Sequence, residues 1–127
     1  MTKYEQLTIF AYKNKLDIIE TNFNSHSEGL CIGDVIALNQ NLNIAKKTCV
    51  LAEELGHYFT TVGDIIDQTD VNNRKQEIKA RKWGYCKLVN IEGLVEACKQ
   101  GCRNINEIAE YLEVTEEFLQ DALQYFR

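Results

Sequence analysis

The sequence predicts an α+β fold that is mostly helical, with a small antiparallel sheet packed on a central helix and a helix pair at the C-terminus. A central helix is predicted over residues 44–61, because Leu51, Leu55, Tyr58 and, just beyond it, Val62 recur at helical spacing. Two short apolar runs precede this helix with Gly33 and Asp34 between them, which is the pattern of a β-hairpin. Two helical patterns with their own capping residues fill residues 104–126.

Length and composition indicate one globular domain. The chain has 127 residues, of which 45% are hydrophobic and 26% charged. A net charge of -5 argues against a general nucleic-acid binder, which carries a basic excess. No apolar run is long enough to span a membrane, and the first residues show no signal-peptide core. Five cysteines without paired spacing favour a reducing compartment, so we expect a cytoplasmic protein.

The elements before the central helix follow from local signals. Residues 2–14 form the first helix, with Thr2 as N-cap and Glu5 completing a capping box. Residues 16–20 are a short strand, and residues 22–29 a polar loop. The hairpin strands are residues 30–32 and 35–38. The asparagine-rich residues 39–43 then make a turn that offers an N-cap to the central helix.

The segment after the central helix is predicted to be a loop and two helices. Gly63 ends the central helix, and residues 65–72 form a loop. Residues 73–89 form the second long helix, in which Ala80 and Gly84 are small and four apart, so another helix can approach closely there. Asn90 caps a further helix over residues 91–100.

The last segment resembles a helix-turn-helix. Asn104 and Glu107 begin its first helix, and Thr115 caps the second. A DNA-reading version carries basic and amide side chains on the second helix, but here that helix is acidic: Glu116, Glu117 and Asp121. We therefore predict a packing or partner-docking extension. Residues 1–89 would form the main domain and residues 90–127 a helical extension packed on it.

The chemistry of the chain is concentrated at Glu53, Glu54 and His57. Glu53 and His57 lie four residues apart on one helix face, and Glu54 lies about 100° round the helix. The pattern is the metalloprotease motif H-E-x-x-H with its first histidine replaced by glutamate. On these residues alone a solvated acidic helix face is the favoured interpretation, because so short a motif often arises by chance. However, Gly56 costs about 1 kcal/mol relative to alanine inside a helix, which indicates a packing or access role.

A metal site needs a third ligand from a later element. The chain has two histidines, so a three-histidine site is excluded, and His26 lies in a polar loop where no function is expected. Glu77 stands on the second long helix, which can pack antiparallel to the motif helix. From the residues alone, Asp64 and Asp67 compete with Glu77 as the third metal ligand.

Four stretches of the chain are similar, in order and spacing, to one known family. They are residues 28–39, residues 49–58 (Cys-Val-Leu-Ala-Glu-Glu-Leu-Gly-His-Tyr), residues 61–64 and residues 73–85. The chain thereby resembles the ImmA/IrrE metallo-endopeptidases found beside repressors in phages and mobile elements, closely over residues 4–89 and loosely over the tail. The resemblance implies a gluzincin-like fold, with His57 as a metal ligand, Glu54 as the general base and Glu77 as the acidic third ligand. Glu53 stands where the family has its first metal histidine.

The resemblance also implies a function, with an alternative left open. The implied function is a zinc metallo-endopeptidase. Mn²⁺ is a second candidate for its metal, because a carboxylate-rich ligand set suits harder ions. Its substrate would be a partner transcriptional repressor, with no direct nucleic-acid or membrane contact, and its oligomeric state is open. The alternative is a catalytically inactive module that binds a repressor or regulator without cleaving it. A DNA-binding regulator using residues 104–126 is the third reading.

Overall fold

The computed structural model describes residues 1–23, 26–60 and 70–126, and for residues 70–73 it describes the backbone alone. In chain order the elements are α1 (Lys3–Lys13), β1 (Asp17–Thr21), β2 (Gly29–Ile32), β3 (Val35–Asn39), α2 (Ile44–Thr60), α3 (Asp70–Leu88), α4 (Ile91–Lys99), α5 (Ile105–Leu112) and α6 (Glu116–Tyr125). Helices predominate and one small sheet accompanies them, which confirms the predicted α+β class.

Helix α1 begins with the predicted capping box. The backbone N–H of Glu5 donates to Thr2 Oγ1 at 3.1 Å, and the backbone N–H of Thr2 donates to Glu5 Oε1 at 3.3 Å. Two N–H groups that the helix leaves without partners are thereby satisfied. Leu7 and Ala11 face inward and are buried, so α1 covers one side of the core.

The sheet is mixed, which corrects the prediction of an antiparallel sheet. Strands β2 and β3 form the expected antiparallel hairpin, and Gly33 in its turn has a φ of 56°, a conformation that glycine adopts without strain. Strand β1 pairs parallel with β3, giving the order β1-β3-β2. The connection from β1 to β2 crosses to the far edge of the sheet, and the hairpin then returns β3 to the centre. Alternating hydrophobicity sets a strand's faces but not its direction.

Helix α2 is the centre of the core. Seven of its 17 residues are buried, and Leu51 and Leu55 are completely enclosed against Ile36 and Leu38 of β3. Of the predicted stripe, Tyr58 is half-buried and Val62 lies outside the described residues. The backbone N–H of Lys46 donates to Asn43 Oδ1 at 2.9 Å, which confirms the expected N-cap. The predicted helix end at Gly63 also lies outside the described residues.

Helix α3 packs antiparallel on α2 at very short range. A Cβ built on Gly56 would lie 2.3 Å from the carbonyl oxygen of Ala80, so the two backbones meet where a side chain cannot fit. Gly84 faces Ala52 further along the same contact, with ordinary spacing. The predicted small-residue contact is therefore confirmed. The helix begins at Asp70, so the last three residues of the predicted loop are helical.

The C-terminal helices begin at their predicted caps. Asn90, Asn104 and Thr115 each accept a hydrogen bond from a backbone N–H in the first turn of α4, α5 and α6. Glu107 does not close a capping box on Asn104, because its carboxylate accepts from the backbone N–H of Arg103 at 2.8 Å.

The buried residues of α5, α6 and the turn between them belong to the same hydrophobic cluster as those of α2. Lys3 also ties α1 to this segment, since its backbone N–H donates to Glu113 Oε2 at 3.0 Å. The division into residues 1–89 and 90–127 remains a prediction. In the described part of the chain, no helix is long and apolar enough to cross a membrane.

Candidate metal centre

Three side chains with metal-ligating atoms converge where α2 and α3 pack. Glu53 and His57 project from one face of α2, and Glu77 reaches them from α3. One ligand atom from each lies within 4.8 Å of the others. His57 Nε2 and Glu77 Oε1 are 3.3 Å apart. The three predicted ligands therefore occupy one place in the structure.

The backbone contact between the two helices holds this cluster together. Gly56 directly precedes His57, and Ala80 follows Glu77 by almost one turn. Because the Gly56–Ala80 approach leaves no space for a Cβ, the axes of α2 and α3 lie unusually close beside the cluster. The packing role expected of Gly56 is to bring Glu77 within reach of His57.

The donor set fits a divalent ion. Ligand atoms about 2.0–2.2 Å from a tetrahedral zinc ion lie about 3.3–3.6 Å from one another. The 3.3 Å between His57 Nε2 and Glu77 Oε1 falls in this range. Both side chains are partly accessible, at 26% and 47% exposure, so an ion can enter from solvent. One imidazole and two carboxylates suit zinc and also the harder manganese ion. Glu53 lies within a small side-chain movement of the same position.

Glu54 occupies a drier position beside the cluster. Burial raises the pKa of its carboxyl group, the nearby charges of Glu53 and Glu77 raise it further, and His57 acts in the opposite direction. A Cβ built on Gly29 of β2 would lie 3.3 Å from Glu54 Cγ, so Glu54 sits between α2 and the edge of the sheet. A carboxylate with a raised pKa accepts a proton more readily, as a general base must.

Arg81 joins the site although sequence reasoning did not select it. Its Nε lies 3.7 Å from Glu53 Oε1, across the same α2–α3 contact. Arg81 stands one helical turn after Glu77, and this spacing is the signal that would have placed it beside the ligands. A cation therefore faces the carboxylate that replaces the first histidine of the motif.

Of the other candidates, His26 is the one that the structure describes. His26 is exposed in the loop before β2 and belongs to no cluster of metal-ligating groups found among the described residues. Asp64 and Asp67 lie outside the described residues.

A cavity of about 180 Å³ opens next to Glu53, between α2, α3 and α6. Its lining combines aromatic and charged side chains, among them Tyr85, Phe118, Arg81, Lys46 and Asp121. The candidate centre thus lies at the rim of a cleft large enough for a side chain of another polypeptide.

Fold and site together define a metallopeptidase-like α+β domain with a variant motif. The model of the IrrE N-terminal-like domain, a peptidase family, matches residues 6–124. Since this match covers nearly the whole chain, the protein belongs to the ImmA/IrrE family. Neither the curated proteins nor the solved structures contain a significant match. The family match confirms the resemblance predicted from the sequence, and it includes the C-terminal segment as far as residue 124.

Proposed function

We propose that this protein is a cytoplasmic, metal-dependent endopeptidase that cleaves a partner transcriptional repressor of a phage or mobile element. The observation that carries the proposal is the convergence of Glu53, His57 and Glu77 within 4.8 Å, beside the half-buried Glu54. Family membership supports the reaction class. The metal is Zn²⁺, with Mn²⁺ as the alternative that two carboxylate ligands favour.

The chain's residues divide the work of peptide hydrolysis. Glu53, His57 and Glu77 would hold a divalent ion, and its chemistry there would be to polarise the scissile carbonyl group and to make water more acidic. Glu54 takes the proton from the attacking water and delivers it to the leaving amine nitrogen. The raised pKa of Glu54 suits the first of these steps, because a more basic carboxylate takes a proton from water more readily.

Strand β2 is suited to hold the substrate. It is an edge strand that pairs with β3 alone among the described residues, so its outer N–H and C=O groups are available. An extended peptide that adds to such an edge receives main-chain hydrogen bonds without regard to its sequence. Gly29 places the start of this strand next to Glu54, which would bring a bound peptide to the general base.

The charge of the protein supports a protein partner over DNA. The net charge is -5, and α6 presents Glu116, Glu117 and Asp121 where a DNA-reading helix carries basic residues. Phosphate groups would be repelled at this surface. The identity of the partner as a repressor rests on the family resemblance.

A second candidate function is a non-catalytic module that binds a repressor or regulator. The observation that favours it is the pairing of Glu53 with Arg81, because an ion pair can replace a metal as the partner of this carboxylate. The two functions differ in whether the protein holds a metal and whether Glu54 is needed.

The test is to purify the protein without chelator, measure its metal content, and incubate it with its cognate repressor and Zn²⁺ or Mn²⁺. Glu54→Gln should abolish cleavage while metal content stays unchanged, and His57→Ala should lose both. Glu110→Gln makes the same chemical change on the exposed surface of α5 and should behave as wild type. A wild-type protein that holds no metal and cleaves nothing, yet binds the repressor, would establish the non-catalytic module.

A further inference from the structure

We propose that Arg81 supplies the positive charge that the metal centre lacks because position 53 is glutamate. The inference rests on the proposed function, since it concerns the metal held by Glu53, His57 and Glu77. Arg81 is the residue whose Nε lies 3.7 Å from Glu53 Oε1. It acts as a positioning and tuning residue through Glu53 and does not itself bind the metal.

The charge of this ligand set differs from that of the usual motif. Two neutral histidines and one carboxylate around a divalent ion leave one net positive charge. Glu53, His57 and Glu77 contain two carboxylates, so the same ion would be fully neutralised. A neutral centre draws less electron density from water and from a carbonyl oxygen, which makes it a weaker Lewis acid. One additional cation next to Glu53 restores the net charge of the usual set.

The position of Arg81 meets this requirement. It lies on α3 one turn after Glu77, and the close contact of α2 with α3 directs it at Glu53. Lys46, a second cation lining the adjacent cavity, is engaged with Glu28 at 3.1 Å. A guanidinium group keeps its charge throughout the working pH range, so its effect on the centre is constant.

The ion pair between Arg81 and Glu53 contributes little to the stability of the fold. The side chains of Arg81 and Glu53 are 57% and 37% exposed, and ion pairs at such exposure contribute little to folding stability. Their effect on a bound ion is different, because the ion carries two charges and lies against Glu53. Arg81 would weaken binding of the ion and at the same time strengthen its acidity.

The experiment measures metal affinity first, by calorimetric titration of the metal-free protein with Zn²⁺. Arg81→Gln should bind Zn²⁺ about threefold to tenfold more tightly than wild type, because one nearby positive charge has been removed. Arg81→Lys, which keeps the charge, should lie close to wild type. The matched control is Lys79→Gln, which removes the same charge from an exposed residue. Lys79 lies about 200° round α3 from Arg81, so this variant should bind Zn²⁺ as wild type does.

The second measurement is the pH dependence of repressor cleavage by the metal-loaded variants. Arg81→Gln should move the acidic limb of the profile upward by about half a pH unit or more, because a less acidic centre needs a higher pH. A merely structural role of Arg81 would change the rate without moving this limb. Urea midpoints of the metal-free variants should be equal, which shows that the fold is unaffected.

The outcomes separate the inference from the proposed function. If wild type binds Zn²⁺ and Arg81→Gln binds it equally or more weakly, Arg81 does not tune the centre, while the metal site stands. If wild type binds neither Zn²⁺ nor Mn²⁺, the metal-dependent function fails, and the tuning role of Arg81 is overturned with it.

Discussion

Replacing Gly56 by alanine should separate the two helices that build the site. Helix propensity alone would make alanine about 1 kcal/mol more stable than glycine at this position. The added Cβ would, however, lie 2.3 Å from the carbonyl oxygen of Ala80, far inside normal contact distance. Overpacking costs about 1–3 kcal/mol, and we expect the upper end because backbone on both sides must move. The net expectation is a loss of about 2 kcal/mol.

The same helix contact offers a matched control. A Cβ on Gly84 would lie 3.5 Å from the backbone of Ala52, an ordinary contact, so Gly84→Ala should be neutral or up to about 1 kcal/mol stabilising. Urea unfolding at 25 °C, followed by circular dichroism, gives both free energies. Gly56→Ala should also weaken Zn²⁺ binding, because His57 and Glu77 move apart. A Gly56→Ala protein as stable as wild type would refute the backbone contact.

Three further predictions concern the ligand set, acid stability and the C-terminal helices. Glu53→His restores the full motif and should raise both Zn²⁺ affinity and the rate of repressor cleavage, measured by titration and by a cleavage assay. Hydrogen bonds from Lys47 and Tyr4 lower the pKa of Glu20. Their stabilising effect is therefore present above the ordinary glutamate pKa and is lost as pH falls through the lowered value. Lys47→Met should therefore reduce the change in the free energy of unfolding between about pH 3 and 6, measured by urea titrations. Leu119 of α6 is completely buried, so Leu119→Ala should cost about 2–5 kcal/mol in the same unfolding assay; a loss below 1 kcal/mol would mean that α6 is not part of the core.

Sequence reasoning succeeded where the determining interactions are local. The N-caps at Thr2, Asn90, Asn104 and Thr115 were predicted because a cap is formed by residues within one turn. The buried face of α2 followed from the helical period. The parallel pairing of β1 with β3 was not predicted, since strand direction depends on how a distant connection crosses the sheet.

At the site too, local relations could be predicted from the sequence and those set by helix packing could not. Glu53 and His57 could be placed on one face from their spacing alone, because both lie on one helix. Glu77 remained one of several acidic candidates until the family resemblance selected it, since its approach depends on the packing of α3 on α2. Arg81 was missed for a related reason. Its partner lies on the other helix, and its spacing of one turn from Glu77 becomes a signal only once Glu77 has been placed at the site.

The shortness of β2 has a consequence for how substrates would be selected. The strand has four residues, and about half of them direct their N–H and C=O groups away from β3. A free peptide held by so few hydrogen bonds would dissociate much faster than it is cleaved. Only a polypeptide docked elsewhere on the protein would keep its scissile segment at high effective concentration beside Glu54. If the proposed function holds, such an arrangement would spare the unfolded and nascent chains of the cell, because residence time, more than peptide sequence, would decide which bond is cut.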